Sequence, residues 1–308
     1  MDKKLLNAHL AIFIANVFFG LNNPISRSLM PEIIDPITLT YFRMIGGTVL
    51  FWLSSLFIKR EKVHAKDLLL LFCAAFFSLS VNQITFYLGL SKTSPIDASI
   101  VVSTLPIMSM IFAAIIIKEP ITLKKAFGVL LGASGAFYLI YNSAGGSIGT
   151  GNFSGNIIVF GAVISFSLYL TLFKKLIPKY SPFTIMKWMF LFASIQSYPF
   201  CHNAVSSFEF QSIDLSIGLR IAYILVFATF AGYVLVAAAQ KVLLPTTLSM
   251  YNYTQPIIAS LATLAMGMGT FGIDHLISVA LVFTGVYIVT QSKTRAQIEA
   301  SKANNSVK

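Results

Sequence analysis

The chain has 308 residues, 56% of them hydrophobic and 11% charged, with a mean hydropathy of +0.79 and a formal net charge of +11. One soluble domain cannot keep that much apolar surface from water, so composition places the chain in lipid. The positive charge is then read as topology and contact with anionic lipid, and no nucleic-acid partner is expected.

In chain order, apolar stretches run over 8–30, 35–58, 67–90, 96–117, 122–141, 154–174, 183–203, 216–239, 246–267 and 272–291. Each is about 20 residues or slightly more, enough for an α-helix to cross about 30 Å of hydrocarbon. Barrel strands are about half as long and alternate polar with apolar, a pattern absent here. The expectation is an all-α integral membrane protein with ten transmembrane helices. The basic start imitates a signal peptide, but the first run is long and its outer half is polar (Asn22, Asn23, Arg27), so it is read as a helix.

Polar residues inside these spans are the candidates for chemistry, since they avoid lipid tails unless they line a cavity or bond across helices. On the first helix Asn16, Gly20, Asn23 and Arg27 follow i, i+4, i+7, i+11, with Asn22 beside them. Arg43 lies about eight residues into the second span, as an anion contact or, in the favoured reading, a guanidinium that snorkels or pairs with helix carbonyls. The third helix adds Asn82, Gln83 and Tyr87, the sixth Ser165, Phe166 and Tyr169, and the eighth Thr229, Tyr233 and Gln240. On the ninth, Ser249, Tyr251, Asn252, Tyr253, Thr254 and Gln255 crowd the segment before Pro256. Pro106 and Pro256 fall in mid-span, where each deletes a backbone hydrogen bond and marks an expected helix break. Gly128, Gly132 and Ala136 give the fifth helix a small-residue face, read as scaffold or subunit contact away from any pore.

Pro95, Ser99, Thr104, Pro106, Ile107, Val129, Leu131 and Gly135 recur 150 residues later as Pro245, Ser249, Thr254, Pro256, Ile257, Val279, Leu281 and Gly285. Each copy holds five spans, and an odd number makes the second copy enter the bilayer from the opposite side. The chain is therefore expected to be two inverted five-helix repeats, 8–141 and 154–291, joined by a Gly/Ser-rich linker at 142–153 and followed by a polar tail at 292–308. Loops on the side of the N-terminus carry 17 of the 22 Lys and Arg residues, which predicts cytoplasmic ends. Inverted repeats are the construction of secondary transporters, with the solute between the copies near the midplane.

All eleven acids lie in loops or at span ends: Asp97 and Asp274 open the fourth and tenth helices, and Glu119 sits at the turn before Pro120. A mid-membrane carboxylate for proton coupling is not expected. No metal site or cofactor is expected, and Cys73 and Cys201 sit at opposite depths, so no disulfide is.

With these residues in view the chain resembles the EamA family of the drug/metabolite transporter superfamily across nearly its whole length. The resemblance rests on Phe19-Gly20-Leu21-Asn22 through Arg27, Arg43, Phe86-Tyr87 to Leu90, Thr104-Leu105-Pro106, Lys118-Glu119-Pro120, Gly128 to Gly135, and Thr254-Gln255-Pro256 with Gly285. Phe19 and Arg27 replace the family's Trp and Lys, and Gly269 stands where the first copy has Glu119. The resemblance implies a central cavity lined by the first, third, fourth, sixth, eighth and ninth helices, and export of amino acids, related metabolites or drugs.

Taken together the residues predict a multi-pass carrier of the inner membrane that moves a small solute, monomer or homodimer both being open. An amino acid with an aromatic or other apolar side chain suits the predicted walls of Asn16, Asn22, Asn23, Gln83, Tyr87, Tyr169, Tyr233, Tyr251, Asn252 and Gln255. A sugar-phosphate or nucleotide-sugar exchanger calls for Lys or Arg on the late helices, and the ninth and tenth spans have none. An integral-membrane lipid-modifying enzyme needs a reactive pair, for which His64 with Asp67 is the nearest offer.

Overall fold

A computed structural model describes residues 3–30, 32–90, 92–93, 98, 101–143, 153–208, 213–265 and 273–292. Among them are ten helical rods: α1 (Lys3–Arg27), α2 (Pro36–Ser54), α3 (Ala65–Leu90), α4 (Leu105–Ile116), α5 (Leu123–Ser143), α6 (Phe153–Leu172), α7 (Pro182–Ser206), α8 (Leu215–Gln240), α9 (245–265) and α10 (Ile273–Thr290). The described residues contain helices and turns and no strand. Five stretches, Lys3–Ser26, Pro36–Ser54, Ala65–Leu90, Phe153–Leu172 and Leu215–Gln240, are long and apolar enough to cross a membrane. The expected fourth span, 96–117, is described as a helix only over the 12 residues of α4.

Local chemistry sets the helix starts. Asp35 caps α2 by accepting from Ile37 N (2.8 Å) and Thr38 N (3.3 Å), and Ser181 caps α7 by accepting from Thr184 N (3.2 Å). A proline follows each cap, at the first helical position, where its missing N–H costs nothing. Both fourth helices restart at their proline. Thr104 Oγ1 donates to Val101 O at 2.6 Å and Thr254 Oγ1 to Tyr251 O at 2.7 Å, the same bond 150 residues apart. Pro106 thus lies in the first turn of α4 rather than inside an unbroken helix, and a 3-10 turn at Tyr251–Tyr253 interrupts α9 just before Pro256. A π-helical segment interrupts α3 at Phe76–Val81 and α8 at Ile224–Ala231, again at matching places.

The main helix contacts among the described residues are matched when the first five helices are exchanged with the second five. α3 and α4 pack on α6, while α8 and α9 pack on α1, making two bundles that each borrow the first helix of the other half. α2 lies against α7 and α5 against α10, bracing the bundles on either side. These braces are antiparallel pairs: Tyr41 meets Tyr198, Thr48 bonds Ser194 (2.9 Å) and Trp52 meets Trp188. Along α5 and α10, Gly128 meets Gly285 and Val289, whereas Gly135 meets Leu281 and Ser278.

Close approach explains the glycines there. A Cβ on Gly285 would stand 2.6 Å from Gly128 O, and one on Gly128 would stand 2.8 Å from Gly285 O. The small-residue face of α5 therefore serves a contact within the chain, with α10 and, at Gly132, with Tyr253 of α9. Outward faces carry exposed apolar side chains, among them Leu53, Phe57, Leu69, Leu130, Ile195 and Leu219, which suit lipid and not water.

Candidate functional site

Where the two bundles cross, α3 faces α8 just beyond their π segments. Gln83 Nε2 donates to Tyr233 OH at 3.0 Å, and the two residues are counterparts at the repeat spacing of 150. Arg43 enters this crossing from α2. Its Nε donates to Thr229 Oγ1 (3.1 Å) and its Nη1 to Gln83 Oε1 (3.2 Å), while Thr229 donates onward to Ile224 O within the π segment (2.8 Å). Phe19 and Phe190 pack edge-on against the Tyr233 ring at 5.7 and 5.2 Å.

Arg43 is 5% exposed, and among the described residues its guanidinium bonds the side chains of Thr229 and Gln83, where the favoured expectation is a helix carbonyl or water. The ion pairs among the described residues are Lys125–Glu119 and Lys179–Asp67, and Arg43 belongs to neither. Among the described residues two of its five N–H donors are engaged, both by neutral side chains. A buried cation bears a desolvation cost that neutral partners offset only in part.

The expected ninth-helix cluster sits elsewhere. His9 Nδ1 and Tyr251 OH are 2.8 Å apart, Gln255 Nε2 donates to Asn16 Oδ1 (2.7 Å) and to Asn252 Oδ1 (3.3 Å), and Gly20 lies tight against Ile258. These bonds form a seam between α1 and α9, inside one bundle. Asn22 accepts from Ser26 of its own helix (3.2 Å), Tyr87 is buried with its ring against Phe86, and the side chain of Asn23 lies outside the described residues. So do Gly269, the side chains of Arg27 and Asp274, and Asp97.

A second crossing lies at the near end of the molecule, where α1 begins. Tyr169 OH donates to Gln240 Oε1 at 2.9 Å, and Lys174, in the turn after α6, donates its ammonium to the carbonyls of Gln240 and Leu243 at the close of α8. Lys125 pairs with Glu119 at 2.6 Å, both side chains almost wholly buried. Burial pulls the Lys174 ammonium down to about 8, against the opposing pull of the Glu119 charge. Charge bias alone marks Lys174 as topology, and the sequence marks Glu119 only as the acid at the turn before Pro120. The pairing of Lys174 with helix-end carbonyls is a matter of depth and direction that spacing does not encode.

His64 offers no reactive pair with Asp67, which instead accepts from Tyr180 OH (2.7 Å) and Lys179 Nζ (3.0 Å) and ties α3 to the α6–α7 turn. No group of three His, Cys, Asp or Glu residues that could hold a metal occurs among the described residues. At the far end a cleft of about 440 Å³ is lined by residues including Glu32, Asp35, Thr38, Phe208 and Ile217.

Comparison with known proteins agrees with this architecture. The model of the EamA-like transporter family matches residues 6–141 and again 153–291. An uncharacterized transporter of Archaeoglobus fulgidus is 26% identical over 260 residues, covering 84% of this chain and 90% of that protein. The uncharacterized transporter YetK of Bacillus subtilis is 24% identical over 299 residues (94% and 89%), and a WAT1-related protein of Arabidopsis thaliana is 23% identical over 320 residues (93% and 86%). A solved crystal structure superposes with a TM-score of 0.76 over 92% of this chain and 96% of its own, at 16% identity, which speaks to the fold alone. These names indicate a transporter rather than an enzyme. Two family matches on one apolar, all-helical chain lead to a single assignment: it is a multi-pass membrane protein that belongs to the EamA-like transporter family.

Proposed function

We propose that the chain exports small amphipathic metabolites, above all amino acids with aromatic or other apolar side chains, by alternating access between its two interleaved bundles. The observation that carries this reading is Arg43, a buried cation at the bundle crossing whose partners, Gln83 and Thr229, are both neutral. A solute carboxylate would supply the missing charge in a bidentate geometry. Gln83 offers an amide oxygen to an ammonium group, and Phe19, Phe190 and Tyr233 offer ring surface to an apolar side chain. The crossing is where contacts must break and re-form if the bundles move.

The inverted-repeat arrangement of 8–141 and 154–291 belongs to this proposal. It draws support from the antiparallel course of the counterpart pairs α2/α7 and α5/α10. Placement in the inner membrane with both ends cytoplasmic rests on the bias of Lys and Arg toward one set of loops. Efflux from reconstituted vesicles, measured over a panel of amino acids and their amides with and without a pH gradient, tests the assignment. Free amino acids should move and their carboxamides should not, and Arg43→Gln should abolish the distinction while inserted protein stays constant. Equal flux of acid and amide through the parent protein would remove the carboxylate from the proposal.

A further inference from the structure

Alternating access needs a closed end, and the near end of this molecule carries a contact between the two bundles. Tyr169 and Lys174, from α6 and the turn that follows it, reach across to Gln240 at the end of α8 and Leu243 in the turn after it, so three bonds join one bundle to the other. The Gln240 carbonyl that Lys174 meets is one of the orphans every helix leaves at its carboxyl end, where the dipole also favours a cation. With Phe19 set on Phe166 and Leu21 on Leu168, a spacing of 147 for the first helices, Tyr169 corresponds to Asn22 and Lys174 to Arg27, whose side chain lies outside the described residues, while at the spacing of 150 Gln240 corresponds to Leu90. Leu90 has no amide to receive a bond, and Asn22 turns back to Ser26 in its own helix. The cleft of about 440 Å³ is at that same far end.

Around the near-end contact, polar atoms are buried without partners: Glu119 Oε2, Gln240 Nε2 and Thr246 Oγ1. Native interiors rarely leave such groups unsatisfied, and a cluster of them suits a place that alternates between two arrangements. Glu119 adjoins α4, in the same bundle as α6, and its charge already acts on Lys174. We propose that Lys174 is the bolt of a gate at the near end: bonded to the Gln240 and Leu243 carbonyls it holds the bundles together, and moved to the free oxygen of Glu119 it releases them. Lys174 is in this sense a positioning residue, with no contact to the solute. Two acceptors, one in each bundle, make the ammonium a two-state element whose choice decides which bundle it belongs to.

The inference rests on the alternating-access reading, but its test needs no solute. Thr246 is fully buried at the near end, so Thr246→Cys, in a background of Cys73→Ala and Cys201→Ala, reports opening there. The rate of reaction with a membrane-impermeant methanethiosulfonate is measured in lipid nanodiscs, where both faces are reachable. Lys174→Met should raise it by about tenfold, the scale of a lost charge-assisted hydrogen bond, and Lys174→Arg should leave it within about twofold of the parent. Tyr169→Phe should fall between, and it carries the decision should Lys174→Met fail to fold. A parental rate in Lys174→Met, a rate in Lys174→Arg as high as in Lys174→Met, or a parental rate in Tyr169→Phe overturns the gate. None of these results touches the solute assignment, which stands or falls on the flux panel.

Discussion

Two polar seams run through this molecule, and they are made of the same kinds of residue. Between α1 and α9, His9 meets Tyr251 and Asn16 meets Gln255; between α3 and α8, Gln83 meets Tyr233 with Arg43 alongside. The first seam lies inside one bundle and the second lies between two. An amide bond inside a bundle fixes a helix pair in lipid, where association has no hydrophobic drive to lean on. Under the proposed alternating access, a hydrogen bond between bundles would have to be remade in each conformation, and a solute could compete for it. What separates glue from site is therefore which elements the bond joins.

The largest expected effect follows from Arg43, the charge at the second seam. Arg43→Gln should lower efflux of carboxylate-bearing solutes by roughly 10- to 100-fold, the range for losing a hydrogen bond to a charged group. Western blotting of membrane fractions separates this from loss of the protein, and a parallel fall in both quantities would make Arg43 a folding residue. Next comes pH at the near-end crossing. A Lys174 ammonium held to about 8 carries its proton below that value and sheds it above, so the bolt weakens as pH rises through 8. Glu119 opposes the loss, and its partner Lys125 adds a like charge close by. The labelling ratio of Lys174→Met to parent at Thr246→Cys should shrink from about tenfold at pH 7 toward one at pH 9, taking the same hydrogen-bond scale. A ratio that ignores pH would detach the contact from the ammonium.

Much of this architecture is legible in the residues. The order of ten helices follows from apolar runs, and the duplication predicts matched features that the structure contains, such as the Thr104 and Thr254 bonds ahead of their prolines. The types of residue at the crossing are legible too, since Gln83, Tyr233 and Arg43 all stand out against their apolar spans. Their grouping is not. Asn16 and Gln83 look equally out of place in sequence, and only the exchange of first helices between the halves puts one in a seam and the other at a crossing. The π segments that set Gln83 and Tyr233 have no composition of their own: Phe76–Val81 and Ile224–Ala231 read as ordinary apolar helix. Arg43 escapes the snorkelling rule because α2 is covered by α3, α7 and α8 at its depth, which a single-helix argument cannot register.

A smaller effect sharpens the comparison at the tyrosine. Tyr233→Phe removes the acceptor of the Gln83 amide but keeps the ring between Phe19 and Phe190, so about 1 kcal/mol, or roughly fivefold in efflux, is expected, with aromatic packing intact. Selectivity for aromatic over aliphatic amino acids should persist in this variant. Its loss would mean that the hydroxyl, and not the ring face, distinguishes the solutes.

The smallest effect belongs to the first seam, and its smallness is the point. Asn16 and Gln255 bond at 2.7 Å, and the same Gln255 amide reaches Asn252 at 3.3 Å, so removing one partner leaves the other with an alternative. A double-mutant cycle of Asn16→Ala and Gln255→Ala, read as unfolding free energy in mixed micelles, should give a coupling of about 0.6 kcal/mol, the usual size for a hydrogen bond between membrane helices. Efflux by either single variant, normalised to inserted protein, should stay within about twofold of the parent, since a coupling of that size moves an equilibrium by less than a factor of three. The opposite pattern, stability unmoved and efflux lost in Asn16→Ala, would place α1 and α9 on opposite sides of the moving interface. The bundle boundary would then have to be redrawn through α1 itself, with Gly20 against Ile258 as a sliding contact in place of a fixed one.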